Sequence, residues 1–198
     1  MYKVCKTKQS INRQKEIEQT FLDLLSTVRY EEISVKSICE KAKIPRKAFY
    51  RYFECKEGVL FALIQHILVG YNEHYEKNKP VKRTIKNELA CYFSFWITGN
   101  RSQLLRALIK NDLIAHFLRI SREIPENNII DISRFFPDKT QWEKRQILNF
   151  AISGLTSIMI EWFYGGCKES TLEMAGLACN LIGKPLFPNL TELGILME

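Results

Sequence analysis

The sequence predicts an all-α chain, and three observations carry that reading. Apolar residues recur at three- and four-residue intervals almost throughout. No segment alternates apolar and polar residues long enough to suggest a half-buried strand. Proline and glycine gather at a few breaks, such as Asn78-Lys79-Pro80 and Gly165-Gly166, with long helical patterns between them. At 198 residues, 46% apolar and 26% charged, the chain has the balance of one that buries a core, which excludes a disordered or collagen-like polymer.

Each element follows from its own residues. Ile17, Phe21, Leu24, Leu25 and Val28 share one face of a first helix, which gives out in the polar link 29–33. Ser34 is an N-cap for a short second helix whose inner stripe is Val35, Ile38, Cys39 and Ala42. Lys43-Ile44 turn the chain, and Pro45 opens a third helix through Phe53, with Phe49 and Phe53 inward. A long fourth helix starts near Lys56 and carries Val59, Leu60, Leu63, Ile64, Ile67 and Tyr71. Beyond Pro80, one helix forms on Ile85, Leu89, Tyr92, Phe93 and Trp96, and another on Leu104, Leu105, Leu108 and Ile109 continues to Phe117. Residues 124–137 read as irregular. A strongly apolar helix then holds Leu148, Ala151, Ile152, Leu155, Ile158, Met159 and Trp162. Ser170 and Glu173 form a capping box for a last helix with Met174, Leu177, Ala178, Leu181 and Ile182, closed by Pro185 and Pro188.

The charge is unevenly placed. Residues 1–56 hold 13 Lys/Arg against 7 Asp/Glu, so nearly all of the net +7 lies in the first quarter. A basic module joined to a near-neutral one suggests that the first meets a polyanion. Two short helices joined by a tight turn within that module have the geometry of a helix-turn-helix. The outer face of the third helix presents Arg46, Lys47, Tyr50 and Arg51, where Arg and Lys suit guanine acceptors and small Ala48 permits close approach.

These residues carry a specific resemblance. The stretch Ile33-Ser34-Val35-Lys36-Ser37-Ile38-Cys39-Glu40-Lys41-Ala42, then Ile44-Pro45-Arg46-Lys47-Ala48-Phe49-Tyr50-Arg51-Tyr52-Phe53 and Lys56-Glu57, resembles the DNA-binding domain of TetR-family transcriptional regulators over about residues 13–64. The chain departs from that family's pattern at four places: Lys43 stands for the usual Gly, Pro45 for a serine cap, Cys39 for Ala and Tyr52 for His. The Lys43 departure implies strain if that turn is left-handed. Carried over by position, the resemblance implies that Arg46, Lys47, Ala48 and Arg51 face bases, while Ser34, Lys36, Tyr50, Tyr52 and Lys56 hold phosphates.

The resemblance further implies a DNA-binding domain at 1–56 and a helical ligand-binding and dimerisation domain at 57–198. Its expected partners are double-stranded operator DNA, a second copy of the chain and a small-molecule effector. Tyr71, Tyr75, Phe93, Trp96, His116, Phe117 and Trp162 are the candidate pocket wall, although an aromatic stripe is more often core and His116 reads as a hydrogen-bonded, partly buried histidine. Leu155, Met159, Trp162, Met174, Ala178 and Leu181 are the candidate dimer interface.

Catalysis finds no support. The three histidines, His66, His74 and His116, lack metal-ligand spacing, and no phosphate loop, nucleophile elbow or Ser/Lys dyad is present. No metal or cofactor is expected. Six scattered cysteines with no CxxC pair read as free thiols of a cytoplasmic protein. The apolar stretches 59–71 and 147–160 fall short of a bilayer span, and the basic N-terminal segment has no signal-peptide core. Two alternatives on the same scaffold remain, a thiol sensor using Cys39 or Cys55 near the DNA helices, or Cys91, Cys167 and Cys179 beyond, and a regulator acting through a protein partner.

Overall fold

The computed structural model describes residues 2–123 and 137–183. Their helices are α1 (Lys8–Thr27), α2 (Val35–Ala42), α3 (Arg46–Phe49), α4 (Lys56–Asn78), α5 (Ile85–Trp96), α6 (Gly99–Lys110), α7 (Ile114–Glu123), α8 (Gln141–Tyr164) and α9 (Thr171–Gly183), with a 3-10 turn at Tyr30–Glu32 between α1 and α2. Among the described residues the only β feature is an isolated bridge between Tyr2 and Phe53.

Local chemistry sets several helix starts. Thr7, Ser34 and Thr140 accept the N–H three residues on, while Ser10, Ser37 and Glu143 return a side-chain partner to the cap backbone. The predicted Ser170–Glu173 box forms as well, with Glu173 N–H donating to Ser170 Oγ at 3.3 Å and Ser170 N–H to Glu173 Oε2 at 2.7 Å.

The inward stripes merge into one core, from Ile17 and Phe21 through Phe49, Phe53, Trp96 and Phe117 to Ala178. α1 packs on α2, α4 and α6, α4 also meets α5 and α7, and α9 lies chiefly against α5. The α1–α6 seam is polar at its edge: Asn100 Nδ2 donates to Gln19 Oε1 at 2.5 Å, Gln103 Nε2 to Ser26 Oγ at 3.1 Å, and Lys110 Nζ to Ser26 O at 3.0 Å.

Three expectations change. The helix expected from 104 to 117 is two, α6 and α7, because Asn111 ends the first. Its Nδ2 donates to Leu25 O (3.0 Å) and Ala107 O (2.8 Å), its Oδ1 accepts Tyr30 N–H (2.7 Å), and Asp112 turns left-handed at φ 55°. The third helix stops at Phe49 rather than Phe53, because Tyr50 reaches ψ −5° and the chain tightens, with Arg51 and Tyr52 N–H bonding three residues back to Ala48 and Phe49 O. α8, at 24 residues, exceeds the apolar run read at 147–160. By length and composition it is apolar enough to cross a bilayer, yet it starts at a capping box and turns Met159, Trp162 and Phe163 into the core. The stretch 124–136 and the closing prolines 185 and 188 lie outside the described residues.

Candidate nucleic-acid interface

The interface is built on the α2–α3 turn. Lys43 ends α2 at φ 53°, ψ 47°, a left-handed conformation that costs an L-residue roughly 1–2 kcal/mol. Its N–H bonds to Glu40 O (3.3 Å) and the Ile44 N–H to Cys39 O (3.0 Å), the paired pattern of a helix closed by a left-handed residue. Pro45 caps α3 from an extended conformation, and its carbonyl accepts the Ala48 N–H at 2.9 Å. Phe49 and Phe53, with ring centroids 5.7 Å apart, are buried together with Ile38 and fix which face of α3 turns outward.

That outer face is basic. Arg46, Lys47, Tyr50 and Arg51 are exposed, while Ala48 and Tyr52 are half-buried. Lys41, Lys43, Arg46, Lys47 and Arg51 have no carboxylate partner among the described residues, whereas Lys36 meets Glu40 at a loose 3.8 Å. Ser34 is exposed, with its oxygen engaged by the Ser37 N–H at 3.1 Å. Cys39 lies buried behind this surface. Burial pushes its thiol pKa up against the opposing charge of Arg46, which favours an inert thiol.

Lys56 is placed otherwise than a phosphate contact requires. Its Nζ donates to Tyr30 O at 2.7 Å and Ile33 O at 2.9 Å, with Glu31 O at 3.4 Å, and lies 4.3 Å above the Tyr30 ring. The ammonium thus ties the start of α4 to the link before α2 and points at protein carbonyls, an arrangement that competes with the phosphate role expected for Lys56. On the same link, burial and the neighbouring Glu57 carboxylate push the Tyr30 phenol well above its usual range.

The second module holds an apolar cavity of about 30 Å³, room for a water or two, lined by Leu68, Tyr71, Tyr92, Phe95, Trp96, Phe117, Ser121 and Ile152. Of the predicted wall, Tyr71, Trp96 and Phe117 line it, and Tyr75, Phe93, His116 and Trp162 do not. Phe93 stacks edge-on with Trp162 at 5.8 Å, and Trp162 Nε1 donates to Glu169 O at 3.1 Å, so both serve as core. His116 was expected to be hydrogen-bonded, but its Nδ1 is buried without a partner. Burial pushes the Tyr92 phenol up to about 12, opposed by Trp96 and Thr156, although neither Trp96 Nε1 nor Thr156 Oγ1 attains hydrogen-bond geometry.

Of the residues expected at a dimer interface, Met159, Trp162, Met174 and Ala178 are buried within the protomer, and Leu155 and Leu181 keep exposed surface. The large apolar side chains these two helices leave outside are Trp142, Phe150 and Tyr164 on α8, and Leu172, Leu177, Leu181 and Ile182 on α9.

Sequence reasoning missed Tyr2. Its backbone pairs with Phe53, Lys3 N–H donates to Tyr52 O at 2.9 Å, and the Tyr2 hydroxyl donates to Gln65 Oε1 at 2.8 Å. An aromatic set among basic residues, Tyr2-Lys3, was the signal available. Among the described residues no cluster of three or more His, Cys, Asp or Glu is arranged to hold a metal.

No family model matches the chain. It is 45% identical over 53 residues to the HTH-type dhaKLM operon transcriptional activator DhaS of Lactococcus lactis subsp. lactis (strain IL1403), a match spanning 27% of this chain and 28% of that protein. Two solved structures superpose on most of it. The fatty acid degradation regulator FadR from Bacillus halodurans does so with TM-score 0.60 at 15% identity, covering 90% of this chain and 96% of that one. A TetR-like transcriptional regulator from Rhodococcus sp. RHA1 gives TM-score 0.58 at 16% identity, covering 87% and 97%. The chain therefore shares the fold of these two regulators, the second of them TetR-like.

Proposed function

We propose that the chain is a DNA-binding transcriptional regulator that grips a two-fold-symmetric operator as a homodimer. Residues 1–56 take the DNA role, and 57–198 the dimer and effector roles. The observation that carries this reading is the outer face of α3, where Arg46, Lys47 and Arg51 stand exposed, without a carboxylate partner among the described residues, over a fully buried Phe49. The local similarity to DhaS supports it. In this reading Arg46, Lys47, Ala48 and Arg51 meet base edges, and Ser34, Lys36, Tyr50 and Tyr52 meet phosphates. The exposed apolar residues of α8 and α9 are the surface offered to the second copy.

Repression by occupancy, relieved by a small apolar effector, is the regulatory scheme. The cavity among α4, α5, α7 and α8 is its seed, and a ligand larger than water must spread those helices. The polar α1–α6 seam is the route by which such a movement reaches the DNA-binding helices. DhaS is named an activator, and this favours a second reading in which occupancy recruits the transcription machinery.

The test is binding to a panel of single-base operator variants. Arg46→Ala or Arg51→Ala should cost about 1–3 kcal/mol and relax preference at one base pair per half-site. Half-site centres should lie roughly 34–36 Å apart or at a slightly expanded spacing. Unchanged base preference in both variants would sink the assignment of α3 as the reading helix.

A further inference from the structure

The segment before α1 is docked onto the helix-turn-helix. Tyr2 and Phe53 form an isolated antiparallel bridge, with the Lys3 N–H donating to Tyr52 O at 2.9 Å, which brings the two backbones within about 4.5–5.5 Å. The Tyr2 ring is half-buried beside Phe53, Phe61 and His66, at centroid distances of 6.4, 6.1 and 5.4 Å, and its hydroxyl is anchored on Gln65 of α4. Tyr52 directly follows Arg51, so the segment runs beside the end of the basic face. Lys3 and Lys6 on it are exposed and have no carboxylate partner among the described residues. Between Lys41 and Lys56 the sequence holds one acid, Glu54, so the surface the arm joins is strongly positive.

We propose that residues 2–6 form a DNA-contacting arm that presents Lys3 and Lys6 to the phosphate backbone beside the recognition helix, with Tyr2 as its positioning residue. This rests on the DNA-binding reading above. With Lys3 and Lys6 on phosphates, the arm adds affinity without sequence preference. Each phosphate contact contributes about 0.9 to the salt slope on duplex DNA, roughly a fivefold change in affinity at 0.15 M salt.

The experiment measures operator affinity against salt for the full chain, for Lys3→Ala/Lys6→Ala, for Tyr2→Ala, and for Lys168→Ala at the α8–α9 link as a charge control. The double lysine variant should lose affinity alike on specific and unrelated duplexes and show a shallower slope. Tyr2→Ala should do the same although it removes no charge, an effect that simple loss of stability would not produce in the slope. Lys168→Ala should match the parent. If either arm variant keeps the parent's affinity and slope while Arg46→Ala still weakens operator binding, the arm is refuted and the helix-turn-helix reading stands. If the parent binds no duplex, both fall.

Discussion

Replacing Lys56 by Met tests the most consequential reassignment in the interface. The substitution keeps the apolar stem and removes the ammonium that bonds Tyr30 O at 2.7 Å and Ile33 O at 2.9 Å and lies 4.3 Å over the Tyr30 ring. Hydrogen bonds from a charged donor contribute about 1.5–3 kcal/mol each, and an exposed cation–π contact about 0.5–1 kcal/mol. Water repairs part of this, because the site is only half-buried. The expected loss is about 2–3 kcal/mol. For a chain of this size each kcal/mol moves the melting temperature by about 2–4 °C, so the midpoint should fall by about 5–10 °C. Urea and thermal unfolding measure that loss, and DNA binding over a salt series measures the other role. The slope should stay at the parent's value, since Lys56 holds protein carbonyls. An unchanged melting midpoint with a slope reduced by about one per site would refute the reasoning and return Lys56 to the phosphates.

Three further outcomes are expected. Lys43→Gly should stabilise by about 0.5–1 kcal/mol in denaturant unfolding, because the left-handed cost of roughly 1–2 kcal/mol outweighs the glycine entropy of roughly 0.5–1; a destabilised variant would show that the φ of 53° is unstrained. The Glu143 carboxyl is held down to about 2 by the Thr140 N–H, Lys139 and the Thr140 hydroxyl, against an ordinary 4.5, so its contribution is complete above about pH 4.5 and disappears as pH falls through 2. Glu143→Gln should therefore flatten the acid-side loss of melting temperature between those limits, and an unaltered profile would contradict the capping role. Leu177→Asp with Leu181→Asp should convert the proposed homodimer to a monomer in sedimentation equilibrium without changing helix content, and a persistent dimer would move the interface off α9.

How much the sequence shows depends on the range of the interaction. The caps at Ser34 and Ser170–Glu173 are legible because a capping box is closed within four residues. The Lys43 turn is legible for the same reason, since the stripe Ile38, Cys39 and Ala42 must end and re-aim before Phe49. The end of α6 is not. Asn111 has no glycine or proline beside it, and its stop is enforced by Leu25 O and Tyr30 N–H, more than 80 residues away in sequence. Lys56 misleads likewise. A lysine at a helix start on a basic surface reads as a phosphate ligand until the carbonyls of Tyr30 and Ile33 arrive beneath it.

The residues expected at a dimer interface divide between two faces of α9 for a geometric reason that also bears on α8. On α9, Met174 and Ala178 form one i,i+4 stripe, and Leu177 and Leu181 form another, offset by three residues or about 60° around the axis. Periodicity shows both stripes as apolar and cannot say which one the protomer's own α5 covers. The structure buries the first and leaves the second out, with Phe150 and Tyr164 on α8. A helix obliged to serve its own core on one side and a second copy on the other is apolar nearly all round. In the proposed dimer such a double duty would account for α8 having the length and hydropathy of a bilayer span, while its polar neighbours fit a protein setting: Lys139 pairs with Glu143 at 3.0 Å at one end, and Trp162 Nε1 donates to Glu169 O at the other. The proposed homodimer thus accounts for two features together, the apolar residues left outside and a hydropathy that no single packed face requires.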